Sequence, residues 1–186
     1  MTDPLTIAIG VVLGFAGTML STLLPARLVG GAIQQFLRDV DWHRAEYLVI
    51  DLPPGTGDAQ LTLTQSAPLT GAVIVTTPQD VALLDAHKGL AMFQEVDVPV
   101  LGIVENMAHY RCPECGHVEH VFGSGGGQRT AEELGIPLLA SIPLDPAIVA
   151  GGDSGNPAAS ERPDSPAGQA FMELARTLIE IVDSEA

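Results

Sequence analysis

Short apolar runs that end at glycine, proline or a polar residue alternate along this chain with segments of helical period. Such runs cover residues 47–50, 71–77, 98–104 and 137–142, and each predicts a buried strand. Leu83, Ala86, Leu90 and Phe93 recur at spacings of three and four, which predicts a helix over residues 78–93. Strands that alternate with helices in this way predict an α/β fold, with a parallel sheet covered by helices.

Weaker patterns predict the remaining elements. A helical period runs from Ile33 to Val40, and residues 59–66 suit one or two helical turns. A short helix is expected over residues 129–134, and Ser165 with Pro166 begins a last helix that continues past residue 180. Residues 151–163 are rich in Gly, Ser, Asn and Pro and predict an exposed loop.

The N-terminal segment, residues 1–29, has a different character. Residues 5–24 carry no charge, and that length would just span a bilayer, with Gly10 and Gly14 at a spacing that suits helix packing in lipid. A signal peptide is disfavoured because Asp3 is the only charge before the run. We favour a buried strand, a Gly-rich turn and a core helix, because the downstream pattern is that of a cytoplasmic α/β domain.

The charge balance excludes one class of partner. The chain has 23 acidic and 8 basic residues, a net charge of −15, and a single lysine, Lys88. A field of that sign repels nucleic acid and anionic membrane surfaces. Such an acidic surface suits a halophilic host, where salt screens the repulsion, and an acidic face that binds a partner is the alternative.

The two cysteines of the chain form one motif, Cys112-Pro-Glu-Cys115. A C-x-x-C pair in a chain with no secretory signal is typical of metal or redox chemistry in a reducing cytosol. His117 and His120 follow at once, so a compact in-chain zinc site is one possibility. Redox chemistry of the thioredoxin kind is disfavoured, because there the motif opens a helix and here it lies in a polar insertion, residues 109–120.

Residues 47–58, YLVIDLPPGTGD, place an aspartate where an apolar strand ends. Parallel sheets bind ligands at the carboxyl ends of their strands, so Asp51 is placed to hold a hydrated Mg²⁺ beside a phosphate. The following Pro/Gly loop combines stiff and permissive backbone, which suits a segment that responds to phosphate. Many strands end in Asp and a Pro/Gly turn without binding anything, so the whole segment counts for more than the aspartate.

Several blocks in order resemble the Mrp/ApbC family of P-loop ATPases, iron–sulfur cluster carriers related to MinD. The resemblance covers residues 30–186 and rests on these blocks: GAIQQFLRDVDW from Gly31, YLVIDLPPGTGDAQLT from Tyr47, VTTPQDVALLDAHKGLAMF from Val75, GIVENM from Gly102, CPECG from Cys112, FGSGGG from Phe122 and IPLDP from Ile142. It implies a MinD-like P-loop fold, ATP with Mg²⁺, and a cluster as cargo.

The resemblance also implies roles for individual residues. Asp51 would be the catalytic carboxylate on the Mg²⁺ side, and Asn106 would contact the adenine base with Pro143 beside it. A switch II loop would respond to the γ-phosphate; its residues include Pro54, Gly55, Gly57 and Asp58. An Asn amide both donates and accepts, which suits base reading, although an Asn in a turn more often caps local backbone.

The chain departs from the family where the Walker A loop is expected. That loop needs glycine N–H groups around the phosphates and lysine on their oxygens. The nearest match, residues 14–22, keeps Gly14, Gly17 and Ser21-Thr22 but has Phe15 and Leu20 at the lysine positions. The fold is therefore expected to be N-terminally incomplete. Hydrolysis is expected to be impaired, because phosphoryl transfer depends on positioning and charge neutralisation.

Two thiolates fill only half of a four-cysteine cluster site. In the resembled family, the pair Cys112 and Cys115 would work with its copy in a second subunit, so a homodimer would hold one 4Fe–4S cluster for apo-protein clients. Zn²⁺ is the alternative metal. The other functions left open are a non-hydrolysing zinc- or cluster-binding interaction module and a membrane-tethered variant through residues 5–24.

Overall fold

The computed structural model describes residues 5–11, 35, 39–42, 45–52, 64, 67 and 69–185, with backbone alone for residues 5–11 and 185. The chain divides into two compact units, residues 1–75 with 84–100 and residues 76–83 with 101–186. Three predictions concern residues mostly or wholly outside the described part: the helix from Ile33 to Val40, the helical turns over residues 59–66, and the Walker-like residues 14–22.

The first unit is built on three parallel strands. They are β1 (Leu5–Val11), β2 (Tyr47–Asp51) and β3 (Gly71–Thr76), in the order β2-β1-β3. In register, Ile9 pairs with Asp51 on one side and Ile7 pairs with Gly71 on the other. The predicted strand at the start of the apolar run is thus confirmed for residues 5–11. No helix in the described residues is long and apolar enough to cross a membrane.

A compact apolar cluster forms the core of the first unit. Leu52, Ala72, Met92, Phe93 and Val98 are buried together. Met92 and Phe93 come from helix α1 (Asp80–Glu95), which the periodicity predicted with a start two residues earlier. Each fully buried aliphatic or aromatic side chain of this kind contributes about 1.5–3 kcal/mol to folding.

The second unit places a small hairpin beside a parallel strand pair. Strand β4 (Val100–Glu105) leads to the antiparallel strands β5 (Tyr110–Arg111) and β6 (Val118–Glu119). Helix α2 (Gly126–Leu134) and strand β7 (Leu138–Ser141) follow, and β7 pairs parallel with β4. The strand predictions for residues 98–104 and 137–142 are confirmed, with bounds shifted by one or two residues.

The predicted loop over residues 151–163 is wrong, because two helices occupy most of it. They are α3 (Pro146–Ser154) and α4 (Ala158–Glu161). Asp145 begins α3 by accepting a hydrogen bond from the Ala147 N–H at 2.8 Å, with Pro146 in the first turn. Gly151 is required there by packing, because a Cβ on it would lie 2.5 Å from the Asn156 carbonyl oxygen.

The C-terminal helix confirms the prediction from its first turn. Helix α5 spans Pro166–Glu185, and the Ser165 hydroxyl accepts a hydrogen bond from the Gly168 N–H at 3.0 Å. Its apolar side includes the buried residues Leu178 and Val182. This helix packs on β7 and on α4, closing the core of the second unit.

Candidate functional site

Asp51 is the last residue of β2, and its side chain is exposed. The sequence predicted this place at the carboxyl end of a parallel strand. The predicted switch residues Pro54, Gly55, Gly57 and Asp58 lie outside the described residues. What the structure gives at this end of the first unit is therefore one accessible carboxylate at the tip of a strand.

In the second unit, a buried carboxylate stands at the corresponding end of β4. Glu105 is only 5% exposed, and its Oε1 accepts a hydrogen bond from the Gly127 N–H at 2.7 Å. Gly127 lies in the first turn of α2, whose unpaired N–H groups favour a negative charge. Glu105 thus caps α2, although it lies 22 residues before Gly127 in the sequence.

The triple glycine at residues 125–127 forms the closely packed start of α2. Gly125 adopts φ +65° at the start of α2, and Gly126 and Gly127 are buried in its first turn. A Cβ on Gly127 would lie 2.8 Å from the Glu105 Cβ, and one on Gly126 would lie 2.5 Å from the Pro78 carbonyl oxygen. Close packing of the helix start on two other segments explains these glycines.

Asn106 follows the buried glutamate directly. Its backbone N–H donates to the Thr76 carbonyl at 2.7 Å, and its side-chain Oδ1 accepts from the Met107 N–H at 2.9 Å. Met107 adopts φ +56°, a left-handed conformation uncommon for a side chain of its size. The oxygen of Asn106 is therefore engaged in local capping, the alternative that the sequence had left open.

A ladder of backbone hydrogen bonds joins residues 105–110 to residues 142–144. The Ile142 N–H donates to the Glu105 carbonyl at 2.8 Å, the Ala108 N–H to the Ile142 carbonyl at 3.0 Å, and the Leu144 N–H to the His109 carbonyl at 2.8 Å. Tyr110 then bridges Leu144 in parallel. Pro143 lies within this ladder, so the structure brings it close to the segment that carries Asn106.

The cysteine motif forms the tip of the β5–β6 hairpin. Arg111 pairs with Val118, and inside that pair the Cys112 N–H donates to the His117 carbonyl at 2.9 Å. The Gly116 N–H donates a hydrogen bond to the Cys112 carbonyl at 2.9 Å, and Gly116 adopts φ +71°. Glycine suits that left-handed position, which turns the chain back after Cys115.

The two cysteines are free thiols in different surroundings. Cys112 is half-buried and Cys115 is exposed. The backbone N–H groups of Cys115 and Glu114, followed by the Cys115 thiol, lower the pKa of the Cys112 thiol below its ordinary value. The thiolate is the form that binds metal, so this turn favours the ligand form of Cys112.

The alternative zinc site, with Cys112, Cys115, His117 and His120 around one ion, is not assembled among the described side chains. Within the described residues, no group of three or more His, Cys, Asp and Glu side chains is placed to hold one metal ion. His120 turns toward the base of the hairpin, where its Nδ1 lies 3.1 Å from the Ala108 carbonyl oxygen. Its ring meets the ring of His109 edge to face, with centroids 6.3 Å apart.

A cleft of about 640 Å³ lies against the hairpin. One wall consists of residues 109–113 and Gly116, and the other of residues 143–147 with Arg162, Ser165 and Pro166. Cys112 and Pro143, both predicted site residues, line it together, whereas Cys115 and Asn106 are not among the lining residues. Sequence reasoning missed the roles of Glu105, Gly127 and Tyr110, because contacts between distant segments leave no local pattern.

Comparison with known proteins agrees with the architecture. The chain is 53% identical over 150 residues to an iron–sulfur cluster carrier protein from Pseudomonas fragi. A nucleotide-binding protein from Archaeoglobus fulgidus, solved with ADP, is 32% identical with a TM-score of 0.67, over 89% of this chain and 79% of that one. The Mg-ADP complex of MinD from Pyrococcus horikoshii is 25% identical with a TM-score of 0.63, over 87% and 60% of the respective chains.

The extent of the match is uneven. The alignment to the Pseudomonas fragi protein covers 81% of this chain but 52% of that relative, so the chain spans about half the length of the curated relatives it matches. A family model matches residues 16–179. On these grounds the chain belongs to the NUBPL iron-transfer P-loop NTPase family, with the MinD-like fold expected from its sequence.

Proposed function

We propose that this chain carries an iron–sulfur cluster as cargo and delivers it to apo-protein clients. The observation that carries the proposal is the exposed hairpin tip, where Cys112 and Cys115 stand as free thiols on a member of an iron-transfer family. A labile cargo needs ligands that a client can reach, and the hairpin tip offers that access.

The cluster is proposed to be of 4Fe–4S type and to be shared by two copies of the chain. Two thiolates leave a cubane cluster half-ligated, and a second hairpin supplies the other two. His120 is engaged at the hairpin base, which supports recruitment of a second copy over completion of the set within one chain. The proposed setting is the reducing cytoplasm, where both thiols stay free.

Anaerobic reconstitution tests this proposal. Iron and labile sulfide should bind at one cluster per two chains, and the loaded protein should elute as a dimer that reverts when the cluster is chelated. Cys112→Ala and Cys115→Ala should each abolish loading, whereas His117→Ala should retain it. Stoichiometric zinc in a monomer, dependent on His117, would refute the carrier role and favour a zinc module.

ATP with Mg²⁺ is the proposed nucleotide of the family fold. Asp51 is proposed to face Mg²⁺, and Asn106 and Pro143 are proposed to lie beside the adenine base. The proposed switch residues, which would respond to the γ-phosphate, are Pro54, Gly55, Gly57 and Asp58. The exposed carboxylate at the end of β2 is compatible with the first role. The ladder that holds Pro143 beside residues 105–110 supports the proposed position of Asn106 and Pro143 at one adenine site.

A non-hydrolysing carrier is the second candidate, and the sequence favours it. Residues 14–22 contain no lysine, and Lys88 lies on α1, where it pairs with Asp85 at 2.9 Å. We therefore expect cluster loading without measurable ATP turnover. Hydrolysis that Asp51→Asn abolishes would restore the ATPase assignment and overturn this second candidate.

A further inference from the structure

The cleft beside the cysteine hairpin is a candidate small-molecule site. Its volume of about 640 Å³ lies in the range typical of ligand pockets. Tyr110 and several prolines are among its lining residues, and so are two cationic residues, Arg111 and Arg162. Asp145 lines the cleft as well, so its lining carries two guanidinium groups and one carboxylate. In a chain with only 8 basic residues, that positive excess favours an anionic ligand with an apolar part.

Backbone pairing places Tyr110 close to the proposed base-binding loop. Tyr110 bridges Leu144 in parallel, one residue after Pro143, and both residues line the cleft. Nucleobases stack on aromatic side chains, and each such contact is worth a measurable part of the binding energy. Arg162 forms a loose ion pair with Asp145 at 3.8 Å, and its side chain is 52% exposed, so an incoming phosphate can reach it.

We propose that Tyr110, a residue of the cysteine hairpin, provides the aromatic face for the nucleotide base in this cleft. The inference rests on the proposed function, because it takes Pro143 to lie beside the base. It adds that the cluster hairpin itself forms a wall of the nucleotide site. Because Cys112 lines the cleft and Cys115 does not, a bound base covers Cys112 selectively.

The full-length chain tests both parts with ADP as the probe. Equilibrium dialysis measures the Kd, and alkylation by N-ethylmaleimide, read by peptide mass spectrometry, reports on each thiol separately. ADP should slow the alkylation of Cys112 and leave that of Cys115 unchanged. Cys115 is therefore an internal control on the same hairpin.

Variants on the two strands of the hairpin separate stacking from folding. Tyr110→Ala should raise the Kd for ADP at least about fivefold, the lower limit for a stacked base, and Tyr110→Phe should restore it. Val118→Ala is the matched control, because Val118 is exposed on β6 and does not line the cleft. Circular dichroism confirms that each variant is folded.

The outcomes distinguish this inference from the proposal beneath it. If ADP binds but Tyr110→Ala leaves the Kd unchanged, or if ADP protects both thiols or neither, the inference is wrong while nucleotide binding stands. If ADP does not bind, the nucleotide part of the proposed function and this inference both fall, and cluster loading is judged separately from iron content. Protection of Cys112 by an acidic apo-protein and not by ADP would make the cleft a client-docking site and refute the inference.

Discussion

The contact between Glu105 and Gly127 makes a quantitative prediction about the second unit. A Cβ added at Gly127 would stand 2.8 Å from the Glu105 Cβ, closer than real Cβ atoms approach, and a tight 3.1 Å from its Oε1. Glu105 is buried at the end of β4, so it has little room to withdraw. We expect Gly127→Ala to destabilise the protein by about 1–3 kcal/mol, the usual cost of overpacking.

Removing the carboxylate should have a similar effect for a different reason. Glu105→Leu leaves the Gly127 N–H buried without its partner, which costs about 1–3 kcal/mol. Glu105→Gln keeps an acceptor at the same reach and loses only the charge near the start of α2, about 0.3–1 kcal/mol. The order of stability should therefore be wild type, then Gln, then Leu.

Thermal unfolding followed by circular dichroism measures these effects. A loss of 2 kcal/mol should lower the Tm by about 4–8 °C in a chain of this size. Gly152→Ala is the matched control, because a Cβ there meets nothing within 4 Å inside α3. That variant should gain about 0.5–1 kcal/mol from the lower chain entropy of alanine. Equal Tm changes for the two glycine variants would refute the packing argument.

Three further predictions concern other parts of the second unit and the chain's charge. In Cys115→Ser, the pH midpoint for alkylation of Cys112 should be lower in the folded chain than in urea, because the fold lowers the pKa of this thiol. The thiolate therefore stabilises the fold above the unfolded pKa, and that stabilisation is lost as the pH falls through the folded pKa. Equal midpoints in the two states would contradict a hydrogen-bonded thiolate. Asp145→Ala should lower the free energy of unfolding by about 1 kcal/mol, because the Ala147 N–H loses its capping acceptor, and Asp145→Asn should retain most of that stability. Urea titrations that show equal losses of stability for both variants would argue against capping. The Tm should rise with KCl and then level off as salt screens the net charge of −15; a Tm that is flat or falling from low salt would rule out self-repulsion.

The parts of the fold that could be predicted from sequence are those with a clean local period. Strand β3 is a continuous apolar run, and α1 has an unbroken three- and four-residue spacing, so both were placed within two residues. The polar tip of β2 was also visible, because a run of apolar residues ends there at Asp51. In each case the information lies in adjacent residues.

The errors have a different origin. Gly151 and Gly152 lower the helix propensity of residues 146–154. The sequence cannot show that the Asn156 carbonyl packs against Gly151 and leaves no room for a side chain there. Gly126 and Gly127 are a second example, because Pro78 and Glu105 pack on them and leave no room for a side chain. Glycine patterns predict loops when seen locally, and only tertiary contacts reveal that a small residue was needed.

The site depends on the same kind of distant contact. Glu105 caps α2 through its side chain and pairs with Ile142 through its carbonyl, and the chain continues from it through the ladder into the cysteine hairpin. A shift of residues 142–144 would therefore act directly on the segment that leads into Cys112, since hydrogen bonds at 2.8–3.0 Å connect the two segments. Ile142→Pro removes the N–H that donates to Glu105 and so loosens this ladder. In molecules that still bind ADP, the protection of Cys112 should be unchanged, because the bound base covers Cys112 directly. Protection that is lost while ADP still binds would mean instead that the ladder, and not coverage by the base, connects ADP to Cys112.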